Sequence, residues 1–140
     1  MKVYHKEIRF ETRGELDVVD LTARIENIVN ESKVRNGLVN VFSIGSTAAI
    51  SILEYEPGLK NDLKNILERI VPKNMEYEHH LRWGDYNGHS HIRASLIKSS
   101  LTVPLMNGSL ILGTWQQIIF IELDVRPRSR RVIVTVMGEE

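Results

Sequence analysis

Cysteine is absent from the 140 residues. That excludes disulfide staples, cysteine-ligated zinc, iron–sulfur clusters and a thiolate nucleophile. Net charge is absent as well, because 18 Lys and Arg balance 18 Asp and Glu. A neutral chain lacks the broad basic face that holds nucleic acid. Apolar runs are short, as at Ile118–Ile121, far below the roughly 20 residues of a membrane helix. The stretch Met1–Lys6 has no apolar core of signal-peptide length, so a cytoplasmic protein without membrane or nucleic-acid partners is expected. The four prolines stand apart, and no repeat or low-complexity segment appears. What remains, 42% hydrophobic and 26% charged residues, is the balance of a globular chain. Its length suits one domain over residues 1–140.

Periodicity predicts an α+β chain with a mostly antiparallel sheet and two or three helices. Val3–Phe10, Leu38–Ile44, Ala48–Leu53, Leu101–Met106, Leu110–Leu112, Trp115–Asp124 and Arg131–Met137 read as strands, rich in β-branched and apolar residues. Asp20 is a plausible N-cap for a helix on Leu21, Ile25, Ile28 and Val29, which Gly37 then ends. Pro57 opens a second helix with Leu59, Leu63, Ile66, Leu67 and Ile70 as one stripe, and Pro72 stops it. A short helix runs through Ile92 and Leu96 after an irregular stretch, Glu76–Gly88. Asn107–Gly108 marks a hairpin. So many strands in so short a chain leave sheet uncovered, which an oligomer would cover.

Several residue groups carry chemical potential. His89 and His91 lie at i, i+2; on a helix they point to different sides, with His91 facing Ser95, and His79 and His80 diverge in any regular element. His91 is the candidate general acid/base or phosphate donor. Glu54, Glu56 and Asp62 flank the start of the Pro57 helix. They suit Mg²⁺ or another divalent ion, or compensation of the helix dipole. Gly45–Ser46–Thr47 offers amides and hydroxyls to a phosphate without the lysine of a P-loop. Arg126, Arg128, Arg130 and Arg131 form the densest basic cluster. On a strand, Gln116, Glu122 and Asp124 share one face.

The order Asn87–Gly88–His89–Ser90–His91–Ile92–Arg93–Ala94–Ser95–Leu96, then Ser100–Leu101–Thr102–Val103–Pro104, Asn107–Gly108 and Gly113–Thr114–Trp115–Gln116, closing on Val136–Met137–Gly138–Glu139, resembles the YjbQ-like family. That family is also called the secondary thiamine-phosphate synthases. The resemblance spans nearly the whole chain. It implies a compact α+β fold, a homotrimer, and a weak transferase activity. In that reaction a pyrimidine-methyl pyrophosphate joins a thiazole phosphate and pyrophosphate leaves. On this reading His91, Glu54 and Gln116 are catalytic. Ser46, Thr47, Asn87, Ser95, Thr114, Trp115, Arg130 and Arg131 bind a phosphorylated substrate. Glu54, Asp62 and His91 hold a divalent metal, and no organic cofactor is expected. Two departures stand out. Many members carry Pro-His-Thr-Thr-Ala-Ala where this chain has Ile44–Gly45–Ser46–Thr47–Ala48–Ala49, so Gly45 replaces a histidine. The Glu54–Pro57 segment is one residue shorter than the common form. The alternative is a non-enzymatic trimeric binder of a phosphorylated small molecule.

Overall fold

Strict alternation along the longest strand sets the architecture. The computed structural model describes all 140 residues. In β8 (Ser129–Glu139), Val132, Val134 and Val136 are buried, whereas Arg131 and Met137 face out, the period-two pattern of a sheet with one covered face. In chain order the other elements are β1 (Lys2–Glu11), β2 (Val18–Asp20), α1 (Thr22–Ser32), β3 (Asn36–Ile44), β4 (Ala48–Leu53), α2 (Pro57–Ile70), a 3₁₀ turn (Glu78–Leu81), α3 (Gly88–Ile97), β5 (Ser100–Met106), β6 (Ser109–Leu110) and β7 (Gln117–Glu122). Five strands form one sheet in the order β1-β8-β3-β5-β6, and three form a second in the order β2-β7-β4. Every strand pair is antiparallel.

Two cores result. The inner faces of the two sheets meet over Val39, Val41, Val103, Val132, Val134, Ile50, Ile118 and Phe120, and Leu21, Ile25, Ile28 and Val29 of α1 join them. The opposite face of the small sheet, with Ala49, Ile119 and Ile121, packs on Leu67 of α2 and Ala94 of α3. β7 is therefore buried on both faces, which explains its uninterrupted Ile118–Ile119–Phe120–Ile121 run. The arrangement is layered: large sheet, small sheet, then α2 and α3.

Most expected elements form, and the differences have physical causes. Gly37 does not end a helix; Lys33 does so in the left-handed region, at φ 66°. Gly37 lies within β3 opposite Gly138, and a Cβ on it would fall 1.9 Å from the Met137 carbonyl. It is glycine because β3 and β8 approach too closely for a side chain. Asp20 stands one residue before the N-cap, Leu21, and accepts from the Thr22 amide at 3.0 Å. Only Leu67 of the α2 stripe is buried; Ile66 and Ile70 are exposed. Asn107 (φ 52°) and Gly108 (φ 83°) make the hairpin turn, as both central residues of a type I′ turn require positive φ. The strand after the hairpin is only Ser109–Leu110. The expected strand over Trp115–Asp124 is shorter, because Trp115 and Gln116 belong to a turn and Asp124 follows the strand.

Helix α3 inverts ordinary amphipathicity. Gly88, His89, Ser90, Arg93 and Ala94 are buried, while Ile92 and Leu96 are exposed. Small residues let the helix lie close: a Cβ on Gly88 would come 2.7 Å from Cβ of Tyr77. Arg93 is fully buried and donates to the Val71 carbonyl (3.0 Å), Glu15 (3.4 Å) and Glu68 (3.0 Å). These bonds tie α3 to the end of α2 and to the loop before β2.

Candidate functional site

One end of the small sheet gathers polar residues from four chain segments. The bend Gly45–Thr47 links the large sheet to the small one. The segment Glu78–Asn87 crosses the top, α3 supplies His91, and the loop entering β8 supplies Arg128. Ser46, Thr47, His79, Trp83, Asp85, Asn87, His91 and Arg128 line a cleft of about 250 Å³.

Two buried carboxylates organise its floor. Asp124 Oδ2 accepts from Arg128 Nε at 2.7 Å and from Thr47 Oγ1 at 3.2 Å. Its Oδ1 accepts from the Val125 amide at 2.8 Å and from Asn87 Nδ2 at 3.2 Å. Burial pushes the Asp124 carboxyl up, but the bonds from Arg128, Asn87 and Val125 outweigh it and hold the group below the ordinary carboxylate range. Glu122 accepts from Thr12 Oγ1 and Arg130 Nε, each at 2.8 Å, from Arg130 Nη2, and from the Asp124 amide at 3.0 Å. Arg130 Nη2 also donates to Thr47 Oγ1 at 2.9 Å. Thr47 thereby joins both carboxylate–arginine pairs, and each buried charge has its partner.

The histidines separate as helical geometry requires. His89 turns inward and meets Glu15 at 2.8 Å. His91 faces the cleft, its ring 4.6 Å from that of His79. His79 Nε2 lies 3.1 Å from Asn87 Oδ1. Asn87 must give its NH₂ group to Asp124, which only accepts, so its oxygen faces His79 and Nε2 of His79 carries the proton. His80 points away and packs against Tyr86 and Tyr77. The His91 ring has no hydrogen-bond partner within the protein, although its amide bonds the Asn87 carbonyl. Burial first, and then the charge of His79, lower its pKa below the usual imidazole value, against the pull of Asp124 and Asp85. The shift favours the neutral imidazole, whose ring faces the cleft. Such a group accepts or donates a proton to a bound molecule.

Of the residues expected at a site, Ser46, Thr47, Asn87 and His91 line this cleft, and Arg130 stands behind Thr47. The others lie elsewhere. Arg131 is on the outer face of the large sheet, bonded to Glu7 at 2.6 Å. The arginine cluster therefore splits, because neighbouring strand residues face opposite ways. Gln116 is not on a strand face with Glu122 and Asp124; its Oε1 accepts from the Gly113 amide at 2.7 Å within a turn that also exposes Thr114 and Trp115. Ser95 is exposed on α3. Glu54 follows β4, and Asp62 sits on the exposed side of α2 beside Asn65 and Arg69. Glu56 caps α2 through the Leu59 amide at 3.0 Å, the helix-terminus role of an acidic residue. Glu54, Asp62 and His91 do not converge, and no three His, Asp or Glu side chains come together to hold a metal.

Arg128 of the basic cluster, and His79, Trp83 and Asp85, which no motif marked, complete the cleft. The sequence carries one signal for them. Glu76–Gly88 holds two histidines, a tryptophan and an aspartate in a stretch with no regular period, and loops on rigid scaffolds carry function.

The family model described as UPF0047 protein YjbQ-like matches residues 6–139. A UPF0047 protein of Methanothermobacter thermautotrophicus is 44% identical, over 99% of this chain and 95% of the relative. One from Archaeoglobus fulgidus is 38% identical, over 94% and 99%. The crystal structure of a YbjQ-like protein of unknown function from Sulfolobus solfataricus P2 superposes with a TM-score of 0.94 at 34% identity, covering 99% of both chains. A hypothetical protein from Aeropyrum pernix K1 superposes with a TM-score of 0.85 at 32% identity, over 96% of this chain and 99% of that one.

Proposed function

The chain belongs to the YjbQ-like UPF0047 family, and from that premise we propose that the His79–His91 cleft binds a phosphorylated small molecule and that His91 exchanges a proton with it. One observation carries the reading: the His91 ring is unpartnered within the protein and turned into a polar cleft, where burial favours its neutral form. The surroundings support it. Trp83 offers an exposed aromatic face to a heterocycle. Ser46 and Thr47 offer hydroxyls, and Arg128 is held beside the cleft by Asp124.

The chemistry implied by the family resemblance is the thiamine-phosphate synthase type. The thiazole nitrogen forms a bond to the pyrimidine methylene carbon, and the carbon–oxygen bond to pyrophosphate breaks. The protein's part is orientation and a hydrogen bond to the departing oxygen from His91. The side chains do not fit a resident metal, and no step is assigned to one. The test supplies both purified substrates and follows pyrophosphate release and thiamine phosphate, with His91→Gln beside the unaltered protein. Product that His91→Gln abolishes supports transfer. Binding of either phosphorylated heterocycle without product supports the binder. Absence of both sinks the reading.

A homotrimer is part of the same proposal. The outer face of the large sheet exposes Val3, Leu38, Phe42, Ile44 and Met137, an apolar group of the kind a subunit contact covers. Light scattering should give three times the 16.1 kDa chain mass, and Phe42→Glu should dissociate it. A monomer in the unaltered protein refutes the assembly.

A further inference from the structure

Arg130 is 7% exposed, and Nε and Nη2 of its guanidinium bond to Glu122 and Thr47. Nη1 has no acceptor in the protein. It is not among the unpartnered polar atoms sealed from solvent, which are Ser43 Oγ, His80 Nε2, His89 Nδ1 and Ser90 Oγ. Solvent therefore reaches one edge of an otherwise buried cation. Gly45 lies over that edge. The β3–β8 register pairs Ser43 with Val132 and Ile44 with Arg131, so its next step brings Gly45 opposite Arg130. A Cβ on Gly45 would sit 2.7 Å from Nη1 and meet nothing else within 4 Å but Cζ of the same guanidinium. Gly45 has φ +138°, a conformation that glycine adopts freely and other residues do not. The amides of Gly45, Ser46 and Thr47 have no backbone acceptor either.

We propose that Gly45 is a window onto Arg130 Nη1, and that this window is an oxyanion subsite for the phosphoryl group of the bound molecule. The proposal rests on the phosphorylated-ligand reading and extends it to a second group of residues. The unpartnered groups here are the Nη1 hydrogens and the bend amides, all donors, and the Ser46 hydroxyl, which can donate as well as accept. An acceptor-only group with several oxygens satisfies them together, and guanidinium bonds to such groups are charge-assisted. Glu122 already balances the Arg130 charge, so covering Nη1 buries no unpaired cation. Any side chain at position 45 would press on Nη1 and close its solvent edge.

The experiment titrates the full chain at constant ionic strength with inorganic phosphate and, separately, with a phosphate monoester of a heterocycle. The readouts are calorimetry and the arginine side-chain resonances of ¹⁵N-labelled protein. Arg130 resonances should move with orthophosphate. Gly45→Ala should weaken that binding by about tenfold or more, and Ile66→Ala, on the exposed side of α2 and away from both cleft and window, should leave it within about twofold. Where Gly45→Ala fails to fold, Arg130→Lys serves instead, since it keeps a cation for Glu122 but has no Nη1. An unmoved Arg130 resonance overturns the subsite, as does unchanged phosphate affinity in Gly45→Ala or Arg130→Lys. Orthophosphate at Arg130 with no monoester binding keeps the subsite, identifies free phosphate as its ligand and removes the functional reading. Monoester binding that Gly45→Ala leaves intact removes the subsite alone.

Discussion

Replacing Arg93 with methionine tests how α3, the helix that presents His91, is held. The side chain is fully buried and makes three bonds of unequal worth. Losing the bond to the buried Val71 carbonyl leaves an acceptor without a partner, at about 1–3 kcal/mol. Glu15 loses one of three partners but keeps His89 and Lys73, so about 1 kcal/mol is lost there. Glu68 is 53% exposed, and an exposed pair of this kind contributes close to nothing. Methionine fills similar volume, so the cavity contribution is small. The sum is about 2–4 kcal/mol. For a chain of this size that lowers Tm by roughly 8–15 °C. Urea and thermal unfolding followed by circular dichroism measure it. The same variant should weaken ligand binding at the cleft, because the first turn of α3 loses its anchor. A loss under about 1 kcal/mol with an unchanged m value would show that water or repacking replaces the guanidinium, and the account of α3 would be wrong.

His91 gives a pH prediction. Its folded pKa lies below its unfolded value, so the unfolded chain takes up the proton first. Its contribution to stability is complete above about pH 6.5 and is lost as pH falls toward the folded pKa; His91→Gln should flatten that part of the stability curve, and imidazole NMR titration reads the pKa directly. Gly37→Ala should prevent β3 from pairing with β8, since its Cβ would meet the Met137 carbonyl at 1.9 Å; a soluble variant with native circular dichroism refutes this. Trp83→Ala should weaken binding of a phosphorylated heterocycle, whereas Trp115→Ala, exposed in a turn outside the cleft, should leave affinity alone and change stability by no more than about 0.5 kcal/mol. Equal effects of the two on affinity would place the heterocycle elsewhere.

Local rules made most of the fold legible. Ala48–Leu53 and Pro57–Ile70 form as read, because a Gly-Ser break, an N1 proline and a following proline act within a few residues. The Asn107–Gly108 turn follows from its dipeptide alone. What was not legible depends on partners distant in sequence. Gly37 reads as a breaker, yet its reason is Gly138, a hundred residues later in the chain. The helix through Ile92 and Leu96 forms, yet these apolar residues are exposed, and a guanidinium and an imidazole take the buried face. Arg93 reverses the pattern because Glu15, Glu68 and the Val71 carbonyl meet it there, and no local period encodes that meeting.

The site divides along the same line. Thr47, Asn87 and His91 carry recognisable motif residues, whereas Arg128 and Asp124 matter only because the chain returns at β7 and β8. Asp124 and Glu122 lie two residues apart; Asp124 receives Arg128 from the following loop and Glu122 receives Arg130 from the start of β8. The four charges that composition counts as cancelling do cancel, pair by pair, within one end of the molecule. Neutrality then has a structural meaning. The buried acids absorb the arginines' charge and fix their direction, leaving Arg130 Nη1 and the His91 ring among the groups without a protein partner. A ligand recognised here is therefore selected by hydrogen-bond geometry more than by bulk charge. Raising ionic strength should weaken its binding only slightly if that is so, because screening acts on net fields and little on buried donors. A steep salt dependence would show instead that unpaired surface cations, such as Arg126, do the recognising.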